Sequence, residues 1–264
     1  MIKVNIDTSG ILRIKAELEG KGKQVRFATL RALNAGAYAA AQATKAEMRR
    51  VFDKPTPWVL GSVRYKKATK EKLEAQVDFD FWGNKQGVTV AQVLRAEIYG
   101  GPRRLKRFEV ALQRRGILPA GMAAIPTKRA PRDQYGNVST GLITQMLSFF
   151  DAFGEQGYRA NMGAKGREKR WKTTKKRIGF EFFALQQQQG KLFPGIYMRK
   201  NYGAADAARV SHLQSGGAYA LFFFVPIPKY KRLLDFYGVA EKAALKEYNA
   251  QFPVMLEQAM RTAR

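Results

Sequence analysis

His212 and Ser211, in "RVSHLQSGG", set an imidazole base beside a hydroxyl nucleophile, the pair that acyl transfer uses. Neighbours on a strand point to opposite faces, and no carboxylate or cysteine follows at an orienting distance, so the roles of a catalytic triad stay unfilled. Asp78 and Asp80, in "AQVDFDF", share one strand face and offer the paired oxygens with which a nuclease grips magnesium. The same alternation also reads as the wet face of a half-buried strand. The chain has no cysteine, hence no thiolate nucleophile, no Cys-ligated zinc and no disulfide framework. "GGPRR" and "QSGGAY" lack the strand, loop and lysine order of a phosphate-binding loop, and "LQQQQG" reads as a solvated turn. The expectation is therefore a protein that is not an enzyme and carries no cofactor and no metal.

What remains is charge. Forty-seven Lys and Arg against 21 Asp and Glu leave +26, which repels itself in a compact monomer and attracts polyanions or acidic partners. Two blocks concentrate it. "GGPRRLKRFEVALQRRG" contributes Arg103, Arg104 and Arg107 on the outer faces of a helix whose apolar stripe is Leu105, Phe108 and Leu112. "GREKRWKTTKKRIGF" contributes Arg167, Lys169, Arg170, Trp171, Lys172, Lys175 and Lys176, where charge can neutralise phosphate and an indole can stack on a base. Three uses fit: a nucleic-acid surface, a solvated face, or a docking surface for an acidic protein. Sequence-specific readout is not expected, since zinc-finger, helix-turn-helix and RNP signatures are all missing.

The elements that must carry these blocks follow from periodicity. Residues 22–52 show helical spacing, with Leu33, Ala37, Ala41, Thr44 and Met48 as a candidate packing or oligomer seam. Small residues there permit close approach, and the Thr44 hydroxyl can bond back one turn. Pro55 and Pro57 end the helix. Leu73, Ala75, Val77, Phe79 and Phe81 alternate with polar residues, giving a strand that pairs with 62–68 as a hairpin. Helical spacing returns at 88–98 and again after Gly-Gly-Pro at 100–102, whereas 116–138 reads as a long irregular connection. Ser139 or Thr140 caps a short helix, and residues 155–176, poor in apolar side chains, read as a basic mobile insertion. "RIGFEFFAL", "GIYMRK" and "AYALFFFVP" are strands that complete the sheet. A closing helix at 238–262 presents Leu245, Tyr248, Phe252, Met255 and Ala259, with Pro253 as a kink. Together these give a single α+β domain over 1–264, with one mixed or antiparallel sheet flanked by long N- and C-terminal helices. The longest apolar run is too short to span a membrane and is broken by Pro226, and the N-terminus lacks a signal-peptide block. A soluble cytoplasmic product with no membrane contact is expected.

Three stretches, "EMRRVFDKPTPWVLGSVRYKKATKEKLEAQV", "GGPRRLKRFEVALQRRGILPAGMAAIPTK" and "DQYGNVSTGLITQML", resemble the minor tail protein Z-like group of tailed-phage and prophage proteins, also called tail-completion or neck proteins. The resemblance covers roughly residues 20 to 150. It implies a tail-completion-protein-like fold and a virion structural protein, made in the host cytoplasm. Such a protein forms a ring of copies of itself, usually a hexamer, between the head connector and the tail-tube or tail-terminator proteins, around the DNA passage. It implies no catalytic residues. The length of this chain and its 155–176 insertion depart from the smaller relatives. The alternative reading is a sequence-independent nucleic-acid-binding protein.

Overall fold

The computed structural model describes residues 4–5, 22–79, 87–174, 176–202 and 218–262. The class is α+β, built of helices and antiparallel sheets. The sequence reads as one domain over 1–264, but the contacts group into two compact units, one from residues 1–101 with 230–264 and the other from 102–229. The expected single sheet is three among the described residues: one holds the hairpin strands, one is the short pair of Gly101–Pro102 with Lys229–Tyr230, and one holds the three aromatic strands; the hairpin sheet and the aromatic sheet each have their own core.

In the first unit, helix α1 (Gly22–Val51) buries Val25, Ala28, Ala32, Leu33, Ala37, Ala40, Ala41, Thr44 and Met48, so the predicted seam is a packed face. Its partner is the closing helix α8 (Phe236–Arg261), which buries Phe236, Ala240, Ala244, Tyr248 and Ala259. The backbones approach so closely that a Cβ on Gly36 would lie 2.9 Å from the Ala244 carbonyl oxygen, which explains the small residues on both helices. Thr44 donates its hydroxyl to the Ala40 carbonyl at 2.8 Å, the expected back-bond, and Thr29 does the same to Val25 at 2.8 Å. The expected buried face of α8 is corrected: Leu245 is exposed, because α1 presents small residues and accepts the alanine ridge of α8 in place of a leucine one. Pro253 lies inside the helix.

Pro57 opens a short helix, α2 (Pro57–Gly61), capped by the Thr56 hydroxyl. The hairpin is present: β2 (Val63–Lys66) pairs antiparallel with β3 (Gln76–Phe79), Val63 opposite Phe79 and Tyr65 opposite Val77, and β1 (Val4–Asn5) pairs on the far side of β3. Asp78 is buried rather than on a wet face, and one carboxylate oxygen accepts the Phe79 N–H at 2.7 Å. Asp80, Phe81, Ser211 and His212 lie outside the described residues. Phe79 packs on Phe236 with centroids 4.8 Å apart, two fully buried rings that each contribute about 1.5–3 kcal/mol. Helices α3 (Val90–Val93), capped by Thr89, and α4 (Arg95–Tyr99) follow. Gly100 and Gly101 then turn the chain at φ of 78° and 103°, positions that only glycine fills without strain.

In the second unit, α5 (Arg107–Arg114) begins after a further extended stretch, so Gly-Gly-Pro does not start the helix. The expected irregular connection contains a strand, β4 (Met122–Pro126), and α6 (Thr140–Phe149) follows Ser139, which stands at the N-cap position but makes no side-chain capping hydrogen bond. The three aromatic strands are β5 (Gly179–Leu185), β6 (Gly195–Asn201) and β7 (Ala218–Pro226). They form an antiparallel sheet in the order β4-β7-β6-β5, with Phe182 opposite Met198 and Ile125 opposite Phe223. Leu112, Leu118, Met146, Phe182, Ile196, Leu221 and Phe222 form its core.

Candidate nucleic-acid or partner interface

The first basic block is organised by a carboxylate. Arg103 forks onto Glu109 with hydrogen bonds of 2.8 and 2.5 Å, and its side chain is 11% exposed while that of Glu109 is 0% exposed. Glu109 stands three residues after Lys106, the N-cap of α5, and accepts the Lys106 N–H at 2.6 Å, the reach-back half of a capping box. It also accepts the Ala124 N–H at 2.8 Å. Burial alone would raise this carboxyl; the Arg103 fork and the two backbone N–H groups outweigh it and hold the group below the usual carboxylate range. The same contacts seal the outer edge of β4, since Gln113 donates to the Met122 carbonyl at 3.3 Å and Arg132 to that of Pro126 at 3.1 Å. Arg103 is therefore a fixed internal cation rather than one of a solvent-facing stripe. Arg104 and Arg107 are exposed.

The second block has helical structure over most of the predicted basic insertion. A 3-10 helix (Glu155–Ala160) is followed by α7 (Ala164–Trp171). None of α7 is buried, which is why its composition reads as unstructured; polar and backbone contacts hold it instead. Arg167 pairs with Asp151 at 2.8 Å and donates to the Phe149 carbonyl at 3.1 Å. Asn201 donates to the Trp171 carbonyl at 2.9 Å, and Arg177 to that of Lys169 at 2.8 Å. A Cβ at Gly179 would lie 1.8 Å from the Trp171 carbonyl oxygen, so the C-terminal end of α7 sits directly on the start of β5.

Aromatic rings then fix the charges. Arg170 lies 5.1 Å from the Phe180 centroid and Arg199, itself paired with Glu181, 5.2 Å from that of Trp171. The half-buried indole expected to receive a base thus already carries a guanidinium. Arg129 and Lys200 stand 5.6 and 5.9 Å from the ring of Tyr219. Lys172 pairs with Glu168 at 2.8 Å, which holds the Glu168 carboxyl below and the Lys172 ammonium above their ordinary values. Lys169 and Lys176 are exposed, and Lys175 lies outside the described residues.

Sequence reasoning overlooked Glu109, Asp151 and Arg199. For Glu109 a signal was available: a glutamate three residues after the start of an amphipathic run marks a capped N-terminus. Asp151 and Arg199 have none, because their partners come from distant segments. Among the described residues no group of three His, Cys, Asp or Glu side chains is placed to hold a metal ion, and no helix is long and apolar enough to cross a membrane. Compared with protein-family models, curated proteins and solved structures, the chain matches none.

Proposed function

We propose that this chain is a structural component of a phage tail or head-tail junction, a tail-completion or neck protein whose copies form a ring, hexameric in the simplest form, joining the connector to the tail tube around the DNA. The observation that supports this reading is the order of elements: a long N-terminal helix, an alternating hairpin, further helices, strands and a closing helix, the order that the resemblance to the Z-like group implies. The small-residue face of α1 is filled by α8, so subunit contacts in such a ring use other surfaces. A second reading, a sequence-independent nucleic-acid-binding protein, is favoured by the net charge of +26 alone.

Salt separates the two. A ring of strongly basic subunits assembles better as ionic strength rises, because the Debye length shrinks from about 10 Å at 0.1 M to about 3 Å at 1 M. Binding to duplex DNA weakens over the same range. Mass photometry and negative-stain microscopy of the purified chain across that series should show closed rings growing in with salt. A chain that stays monomeric throughout while binding random duplex at low salt would replace the ring reading with the second one.

A further inference from the structure

We propose that the strip from the first turns of α1 across the β2–β3 loop is a binding site for single-stranded nucleic acid, with phosphates held by Lys23, Arg26 and Lys70 and a base received on Phe27. A cavity of about 280 Å³ opens there, lined by Lys23, Arg26, Phe27, Leu30 and Lys70. Its size suits one small planar group, its floor is apolar and its rim is cationic. The Arg31 guanidinium lies over one face of the Phe27 ring, 5.8 Å from its centroid, and the ring is still 44% exposed, so a base would stack on the opposite face. Three turns along the same face, about 16 Å away, Tyr38 is exposed and meets Tyr65 of β2 edge-on at 5.9 Å. Aromatic platforms spaced along a cationic track are what a single strand recognises, since every base has a stacking face.

The loop that supplies the lysine is held in place. Arg26 donates to the Lys70 carbonyl at 2.8 and 2.5 Å; Asn34 accepts the Ala68 N–H at 2.7 Å and donates to its carbonyl at 3.4 Å. The site is thereby preorganised, which lowers the ordering cost of binding. Lys66 and Lys67 are exposed beside it, Glu74 is taken up by Lys72 at 2.8 Å, and Glu71 offsets one of the positive charges. A duplex keeps its bases stacked and would leave the cavity empty. An unstacked base fills it. This inference needs only the first unit and stands apart from the ring assignment.

The test is fluorescence anisotropy of the full chain with an oligothymidylate of about twelve residues and with random duplex of equal length. Phe27→Ala should weaken the single strand by about tenfold and leave the duplex unchanged, and Phe27→Trp should restore the single strand. The Lys23→Gln, Lys70→Gln double variant should reduce the single-strand log-log salt slope by about 1.4, at about 0.7 per phosphate. Far-UV circular dichroism checks that the variants fold; were Phe27→Ala to misfold, the exposed lysine variant would carry the test through its slope. The proposal is overturned if Phe27→Ala leaves the single strand unaffected or weakens both ligands equally. It is also overturned if the lysine variant keeps the full slope, or if an oligoglutamate of equal charge displaces the oligothymidylate as well as unlabelled oligothymidylate does.

Discussion

Glu109 of α5 and Ala124 of β4 are joined by a 2.8 Å hydrogen bond from the Ala124 N–H to the carboxylate, which also carries the Arg103 fork. One acid thus caps a helix, seals a sheet edge and neutralises a buried arginine. Glu109→Gln removes the carboxylate charge that faces that buried arginine and should cost about 3–5 kcal/mol in urea unfolding. The carboxyl titrates below its unfolded value, so its contribution is complete above about pH 4 and is lost as pH falls through the lower folded value. The stability gap between wild type and variant should therefore narrow in acid; a gap that is constant from pH 7 to pH 2 would show that the charge of Glu109 is not what stabilises the unit.

Gly36→Ala tests the α1–α8 contact. The methyl gains about 1 kcal/mol of helix propensity, but it meets a backbone carbonyl at 2.9 Å that cannot swing away, an overpacking cost of about 1–3 kcal/mol. A net loss in thermal stability is expected. A melting temperature that rises would show that the two helices part freely.

Asp151→Asn tests what holds α7. Asp151 adopts φ of 53°, which asparagine tolerates equally, so the change removes the charge facing Arg167 at 2.8 Å and Arg115 at 3.8 Å without altering the turn. Partly exposed pairs of this kind contribute about 0.2–1 kcal/mol, so tryptic cleavage after Lys169, Arg170 and Lys172 should quicken by up to about fivefold. Timed digestion read by mass spectrometry follows it directly; an unaltered rate would assign the order of α7 to its backbone contacts alone.

Tyr248 sets an alkaline limit on the first unit. Burial pushes its phenol up to about 12, so the stability it gives is fully present below about pH 10 and is lost as pH rises through about 12. Tyr248→Phe should flatten part of the fall in melting temperature between pH 9 and pH 12, with Tyr237, also pushed up to about 12, keeping the remainder. Identical alkaline profiles for the two proteins would contradict this.

The sequence made legible those parts whose partners lie close along the chain or whose pattern repeats. The period of α1, the Thr44 back-bond, the β2–β3 hairpin and the three aromatic strands all belong to this class. Strand β4 was hidden because "MAAIP" lacks the β-branched alternation of a strand, and its edge is completed by Glu109, Gln113 and Arg132 rather than by its own side chains. Helix α7 was hidden because polar contacts from Asp151 and Asn201 order it while burying nothing. The face of α8 was misjudged because large residues attract attention, whereas Gly36 selects Ala244. As for the candidate surface, the basic residues could be named from sequence; which of them are already committed to carboxylates and rings could not.

The first unit is closed by a helix that the ribosome makes only after the second unit. Between Val51 and Phe236 the whole second unit is synthesised, so at about 5–20 residues per second the alanine and glycine face of α1 waits on the order of 10–40 s for the helix that covers it. During that interval the small-residue face of α1 has no closing helix to cover it. An α8 supplied by a neighbouring nascent chain would fit the same face, a route to helix-exchanged dimers.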